Sequence, residues 1–184
     1  RHGGAAMTAA SDSAEGERIA KLIARAGLCS RGAAEAWIEA RRVAVDGIVL
    51  SSPALRVRPG QRITVDGKLL PAPEATRLFR YHKPKGVVTS ARDPEGRATI
   101  YDTLPEGLPR LMPVGRLDIS SEGLLLLTND GALKRRLELP STGWLRRYRA
   151  RAFGEVDDRR LKALAQGVTI DGIAYGPIEA RLDR

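Results

Sequence analysis

The apolar positions change their period along the chain. In "ERIAKLIARAG" Ile19, Leu22, Ile23 and Ala26 recur at helical spacing, and Gly27 predicts a stop. Ser30 predicts the N-cap of a second helix, with Ala33, Ala34, Trp37 and Ile38 on one face. The period then drops to two. "VAVDGIVL" and "RITVDGKLL" each place Asp-Gly between short apolar runs, at 46–47 and 66–67, and predict hairpins. "RLFRYHKPKGVVTS" predicts strand, turn and strand, with Lys83 to Gly86 at the turn. Leu124 to Leu127 are too few for a helix and predict a strand buried on both faces. A short helix is expected in "ALKRRLEL" after Asp130-Gly131. "RRYRARAFG" alternates as a strand, "DDRRLKALAQG" reads as a helix and "VTIDGIAYGPIEARL" as a hairpin. Runs of helices and runs of short strands, rather than a regular strand–helix repeat, predict an α+β fold with a mixed, largely antiparallel sheet and flanking helices.

Punctuation divides these elements. Residues 1–16 are small and polar around Met7 and are expected to be a disordered leader; 17–70 form a module of two helices and strands; the Pro-rich stretch 71–76 is a linker; 77–184 form a second domain. A module of about 55 residues can fold, though its burial is marginal.

Charge narrows the partners. The 184 residues carry 31 Lys plus Arg against 22 Asp plus Glu, a net +9, and 17–70 alone hold ten basic and five acidic residues. An anionic partner follows, nucleic acid first. In the first module Lys21, Arg25, Arg31, Arg41 and Arg42 are candidates for phosphate contact, against the plainer reading of a solvated helix face. One cysteine, Cys29, excludes an internal disulfide and fits a reducing cytoplasm. Two histidines and one cysteine, far apart, make no metal site, and no phosphate-binding glycine motif speaks for a nucleotide cofactor. No apolar run approaches a membrane span, so no membrane partner is expected.

Two stretches could carry chemistry. "HKPKG" sets Lys83 and Lys85 around a tight turn, either as exposed lysines or as a phosphate grip, while His82 reads as a strand residue. "GRLDISSEGLLLLTNDG" brings Asp118 on a glycine-bounded turn into the leucine run. Asp118 and Ser121 could each bond local backbone N–H groups, so the aspartate could simply shape the turn. It could equally be a carboxylate poised at a cleft beside Arg116, ionised and available as nucleophile or base. These two readings stand level on local physics. Pairing with Glu122 as a glycoside-cleaving dyad is a remote third.

The same residues resemble a known family. Gly115, Arg116, Leu117, Asp118, Ser121, Gly123 and Leu124 to Leu127 match the catalytic motif of the RsuA-type ribosomal RNA pseudouridine synthases. "KPKGVVTS" resembles that family's upstream Lys-Pro-x-Gly element, and "RRYRARAFG" its Tyr-Arg strand. The stretch from Arg18 to Gly47 resembles the S-four-type RNA-binding domain that precedes the catalytic domain. The resemblance implies isomerisation of a uridine to pseudouridine in ribosomal RNA, nearest the large-subunit branch, without cofactor or metal. It implies that Asp118 is the essential carboxylate, that Arg116 fills the space left by a flipped nucleotide, that Tyr148 packs on the uracil, and that Lys83 and Ser121 contribute to the substrate site. In relatives a basic residue from a later segment pairs with the aspartate. The chain is therefore expected to be a piece of a longer protein, with an unpaired edge at its last hairpin. The rival expectation is a non-catalytic RNA-binding or ribosome-assembly protein on the same scaffold.

Overall fold

The computed structural model describes residues 16–183. The expected leader lies, apart from Gly16, outside them. The chain divides into two compact units, with the boundary between Trp144 and Leu145.

In the first unit, strand β1 (Glu17–Arg18) runs into helix α1 (Ile19–Arg25), and α2 follows over Arg31–Glu39. Ser30 caps α2 as expected, its Oγ accepting from the Ala33 N–H at 3.1 Å. Strands β2 (Val43–Val45), β3 (Ile48–Val49), β4 (Arg56–Val57), β5 (Ile63–Val65) and β6 (Lys68–Leu69) come next. β4 pairs with β1, and the other four make an antiparallel sheet in the order β3-β2-β5-β6. Both Asp-Gly pairs turn these hairpins with positive φ at each residue, 51° and 82° for Asp46-Gly47 and 49° and 77° for Asp66-Gly67. That is the backbone a two-residue turn needs to match strand twist. Ile19, Ile23, Ala34 and Ile38 from the helices close over Val43, Val45, Ile63 and Val65.

A second core lies further along the same unit. Strand β7 (Leu78–Lys83) pairs antiparallel with β9 (Gly123–Thr128), whose other edge takes β8 (Met112–Val114). Leu125 and Leu127 join Val87, Ile100 and Leu111 in this core, and helix α3 (Gly131–Glu138) follows, capped by Asp130. The second unit holds helix α4 (Asp158–Ala163) and the hairpin β10–β11 (Val168–Ile170, Ile173–Tyr175). All strand ladders between named elements are antiparallel among the described residues, which gives the mixed α+β architecture expected from the pattern.

Four expectations need correction. The stretch after Gly86 is not the return strand of a hairpin: Val88 makes a single bridge to Thr99, and β9 occupies the edge of β7. The leucine run is not buried on both faces. Leu125 and Leu127 are buried, whereas Leu124 is 66% exposed, because core residues cover only one face of the strand among the described residues. Residues 146–154 form no strand; their alternation meets no hydrogen-bonding edge among the described residues. The last hairpin ends at Tyr175, so its ladder is shorter than the 168–182 expected.

Candidate functional site

The register of β7 on β9 decides what lies beneath Asp118. Phe79 is opposite Leu127, Tyr81 opposite Leu125 and Lys83 opposite Gly123. A strand alternates its side chains, so Lys83 shares the inward face with Phe79 and Tyr81. Its side chain is fully buried, at 0% exposure. A buried ammonium must be paired or hydrogen-bonded to persist. Here Nζ donates to the carbonyls of Pro84 at 3.1 Å, Asp118 at 3.0 Å and Ser121 at 2.9 Å. Three acceptors match the three protons of the charged form. Burial pushes the Lys83 pKa below the usual lysine value, and the negative charge of Asp118 works in the opposite direction. The three donors of Lys83 thus go to backbone carbonyls, one in its own Lys-Pro turn and two in the Asp118 turn.

The rest of "KPKGVVT" supports the same turn. The Gly86 N–H donates to the Ile119 carbonyl at 2.8 Å, a bond made from a backbone with φ of 82°. The Thr89 hydroxyl donates to the Leu117 carbonyl at 2.7 Å and accepts the Leu117 N–H at 3.3 Å. At the near end, Glu138 of α3 accepts the Gly115 N–H at 2.7 Å. Lys134 donates to the Pro113 carbonyl at 2.8 Å and pairs with Glu138. The turn itself is closed by the Ser121 N–H on the Asp118 carbonyl at 3.0 Å. Backbone carbonyls at 117, 118, 119 and 121 are thus all held from below, and none of these bonds uses the Asp118 carboxylate.

That carboxylate is exposed, and no hydrogen bond or ion pair to it occurs among the described residues. A turn-shaping aspartate would accept a nearby backbone N–H. Asp118 does not, so its oxygens remain available to a ligand. Arg116 is exposed on the same turn and makes no ion pair with Asp118. Glu122 is 3.9 Å from the Lys85 ammonium, an exposed pair. The structure thus brings Lys83, Asp118 and Ser121 together, with Arg116 beside them. Tyr148, 70% exposed, belongs to the second unit. Thr89, Lys134 and Glu138 were not anticipated as residues of the site. Thr89 sits in what reads as a strand, and Lys134–Glu138 has the spacing of an ordinary helix-surface pair.

The candidate RNA-contacting residues lie on a different core. Lys21 and Arg25 both pair with Glu17, at 2.6 and 3.1 Å, and Arg31 approaches Glu35 at 3.6 Å. Arg42 forms a two-pronged contact with Asp66, 2.9 Å from Nε and 2.6 Å from a terminal nitrogen, and lies over the Trp37 ring at 4.8 Å. Arg41 follows α2 with φ of 59°, an uncommon backbone for a residue with a side chain, and is exposed. No group of three or more His, Cys, Asp or Glu is placed to hold a metal, and no helix is long and apolar enough to cross a membrane, among the described residues.

Two family models match the chain. The S4 domain family matches residues 17–63, over the first core. The RNA pseudouridylate synthase family matches residues 77–173, more than half of the chain. The chain belongs to the RNA pseudouridylate synthase family. It is thereby an isomerase-family protein with an RNA substrate class, and it carries an S4 domain ahead of the synthase region. An uncharacterized RNA pseudouridine synthase of Rickettsia felis is 46% identical over 166 residues, covering 90% of this chain and 72% of the relative. Ribosomal large subunit pseudouridine synthase B of Escherichia coli (strain K12) is 44% identical over 161 residues, 84% of this chain; the chain spans 55% of that relative's length. A solved structure described as a pseudouridylate synthase superposes with a TM-score of 0.50 at 26% identity, covering 88% of this chain and 70% of that one.

Proposed function

We propose that the chain isomerises a uridine to pseudouridine in ribosomal RNA of the large subunit, with Asp118 as the essential carboxylate. The observation that carries this reading is the state of that side chain: exposed, without a backbone partner, on a turn whose shape is fixed by other groups. The similarity to a large-subunit synthase supports the choice of RNA. The reaction breaks the glycosidic C–N bond, turns the uracil while it is held, and joins its fifth carbon to the sugar. The proton on that carbon is lost and the ring nitrogen freed from the sugar takes one up, so atoms balance without a cofactor. The uridine must first leave its stack, at a cost of a few kcal/mol. In this reading Arg116 fills the vacated space, Tyr148 offers its ring to the uracil, and Ser121 helps frame the turn. Lys83 is a positioning residue that holds the Asp118 backbone from within. The N-terminal module, ending near residue 70, supplies affinity through Lys21, Arg25, Arg31, Arg41 and Arg42 and raises the effective concentration of the synthase region at its target.

One observation favours a second reading. No cation forms an ion pair with Asp118 among the described residues, as suits a scaffold that binds RNA without turning it over. Tritium release from RNA labelled at the fifth uracil carbon decides between them. Release by this chain, lost in Asp118→Ala with RNA binding intact, is expected. No release from either, with tight salt-sensitive binding, would establish the binding-only protein in its place.

A further inference from the structure

Arg116 is held by its neighbours and not by its own side chain. Strand β8 ends at Val114, whose pairing with Leu126 is the last of its ladder on β9. The Gly115 N–H lies beyond that ladder, and the backbone swings out of the sheet there with φ of 74°. Glu138, at the end of α3, accepts this N–H at 2.7 Å. On the other side of Arg116, the Thr89 hydroxyl holds both the N–H and the carbonyl of Leu117. The guanidinium of Arg116 is exposed and makes no hydrogen bond or ion pair among the described residues. A long side chain free at its tip is aimed only as well as the backbone at its root is fixed.

The grip of α3 is more than one bond. Lys134, one turn earlier on the same face, pairs with Glu138 and donates to the Pro113 carbonyl at 2.8 Å. One ion pair thus holds the chain on both sides of Val114, through an acceptor at Pro113 and a donor at Gly115. Hydrogen bonds to charged groups are the shorter and stronger class. Losing the Glu138 bond should disturb geometry more than folding, because the Gly115 amide is only half-buried and water can take the vacated place. We propose that Glu138 is a positioning residue for the isomerisation: it fixes the root of Arg116 and so sets how readily that side chain replaces the uridine in the stack, without itself touching RNA. The proposal rests on the reading of Arg116 as the side chain that fills the vacated space.

The test is tritium release by the full chain from large-subunit ribosomal RNA transcribed with uridine labelled at the fifth carbon, with thermal melting on the same preparations. Glu138→Ala should lower kcat about 10- to 100-fold with KM within about two-fold of the parent, and move the melting temperature by only a few degrees. Glu138→Gln keeps an acceptor oxygen for Gly115 and should recover most of that loss. Glu138→Asp keeps the charge but stops a methylene short; it should be slow, and it serves if Glu138→Ala folds poorly. Added to Arg116→Ala, Glu138→Ala should deepen the loss by less than about two-fold, because both act through one side chain. Losses that multiply in the double variant would overturn the proposal. A rate that simply tracks melting temperature across the Glu138 variants would also overturn it, reducing Glu138 to a structural contact. Glu138 variants that turn over like the parent, while release still depends on Asp118, would overturn it and leave the proposed reaction standing. A parent chain that releases no tritium would overturn both.

Discussion

Lys83 and Arg42 carry the same charge in opposite settings. Lys83 lies on the inward face of a strand, fully buried, with its protons on the carbonyl of Pro84 and on two carbonyls of the Asp118 turn. Arg42 lies on the surface, paired with Asp66 and stacked on Trp37, with water available to both partners. Losing a buried donor leaves its acceptors without a partner, whereas losing an exposed one lets water replace it. The contrast separates two uses of positive charge in one chain. Beneath Asp118 a cation sets geometry; on the S4 region cations pair with carboxylates at the surface.

The largest expected effect comes from Lys83→Met, which keeps bulk and removes the donor. It should cost about 2–4 kcal/mol of stability, since three carbonyls in part-buried hydrogen bonds lose their donor together. It should also slow isomerisation at least about 100-fold, because a displaced carboxylate loses its alignment with the sugar. Denaturant titration and tritium release read the two effects. A mutant that melts normally and turns over normally would erase the distinction between the two lysine and arginine settings.

A smaller effect is expected from acid. Asp93 accepts from the Arg97 guanidinium at 2.9 and 2.8 Å and from its N–H at 2.8 Å, and these bonds, the side-chain ones first, hold its carboxyl down to about 2. A depressed folded value means the contribution is complete above the ordinary carboxylate range and fades as pH falls from near 4 toward 2. Residues 91–98 lead back to Val88 and Thr89, which support the Asp118 turn. Amide exchange there should rise in that window, and Arg97→Ala, which leaves only the backbone donors, should shrink the pH dependence. Protection unchanged down to pH 2 would show that the loop is held by something else.

The smallest change in stability belongs to Arg42→Ala. Its melting temperature should barely move, while RNA binding weakens several-fold with a shallower salt slope. A large drop in melting temperature would place Arg42 on the structural side of the comparison, with Lys83.

Much of this was legible from pattern. The two N-terminal helices, the second capped by Ser30, the three Asp-Gly hairpins and the strand after the Asp118 turn follow from period, cap and turn chemistry that act within a few residues. What failed depended on partners distant in sequence. The alternation at 146–154 produced no strand because a strand needs an edge, and no local pattern supplies one. The leucine run looked symmetrical, yet among the described residues core lies on the Leu125 and Leu127 face and Leu124 is exposed. Lys83 is the instructive case: Phe79, Tyr81 and Lys83 alternate in "RLFRYHK", so the inward phase was present, but a terminal charge beside a Lys-Pro-x-Gly turn argued for exposure. Only the register with β9 brings the carbonyls that make its burial tolerable. Asp118 itself was undecided on local grounds, since the groups that relieve it of shaping the turn lie some thirty residues earlier.

The most direct test of that division of labour is a paired measurement on Asp118→Asn, which preserves shape and hydrogen-bonding capacity and removes the charge. Folding free energy from denaturant titration and tritium release from labelled RNA are measured on the same preparation. Stability should stay within about 0.5 kcal/mol of the parent, as for a surface substitution away from any structural contact, while release is abolished. A mutant that loses stability and activity in step, or one that keeps releasing tritium, would contradict the assignment of Asp118 to chemistry rather than to the turn.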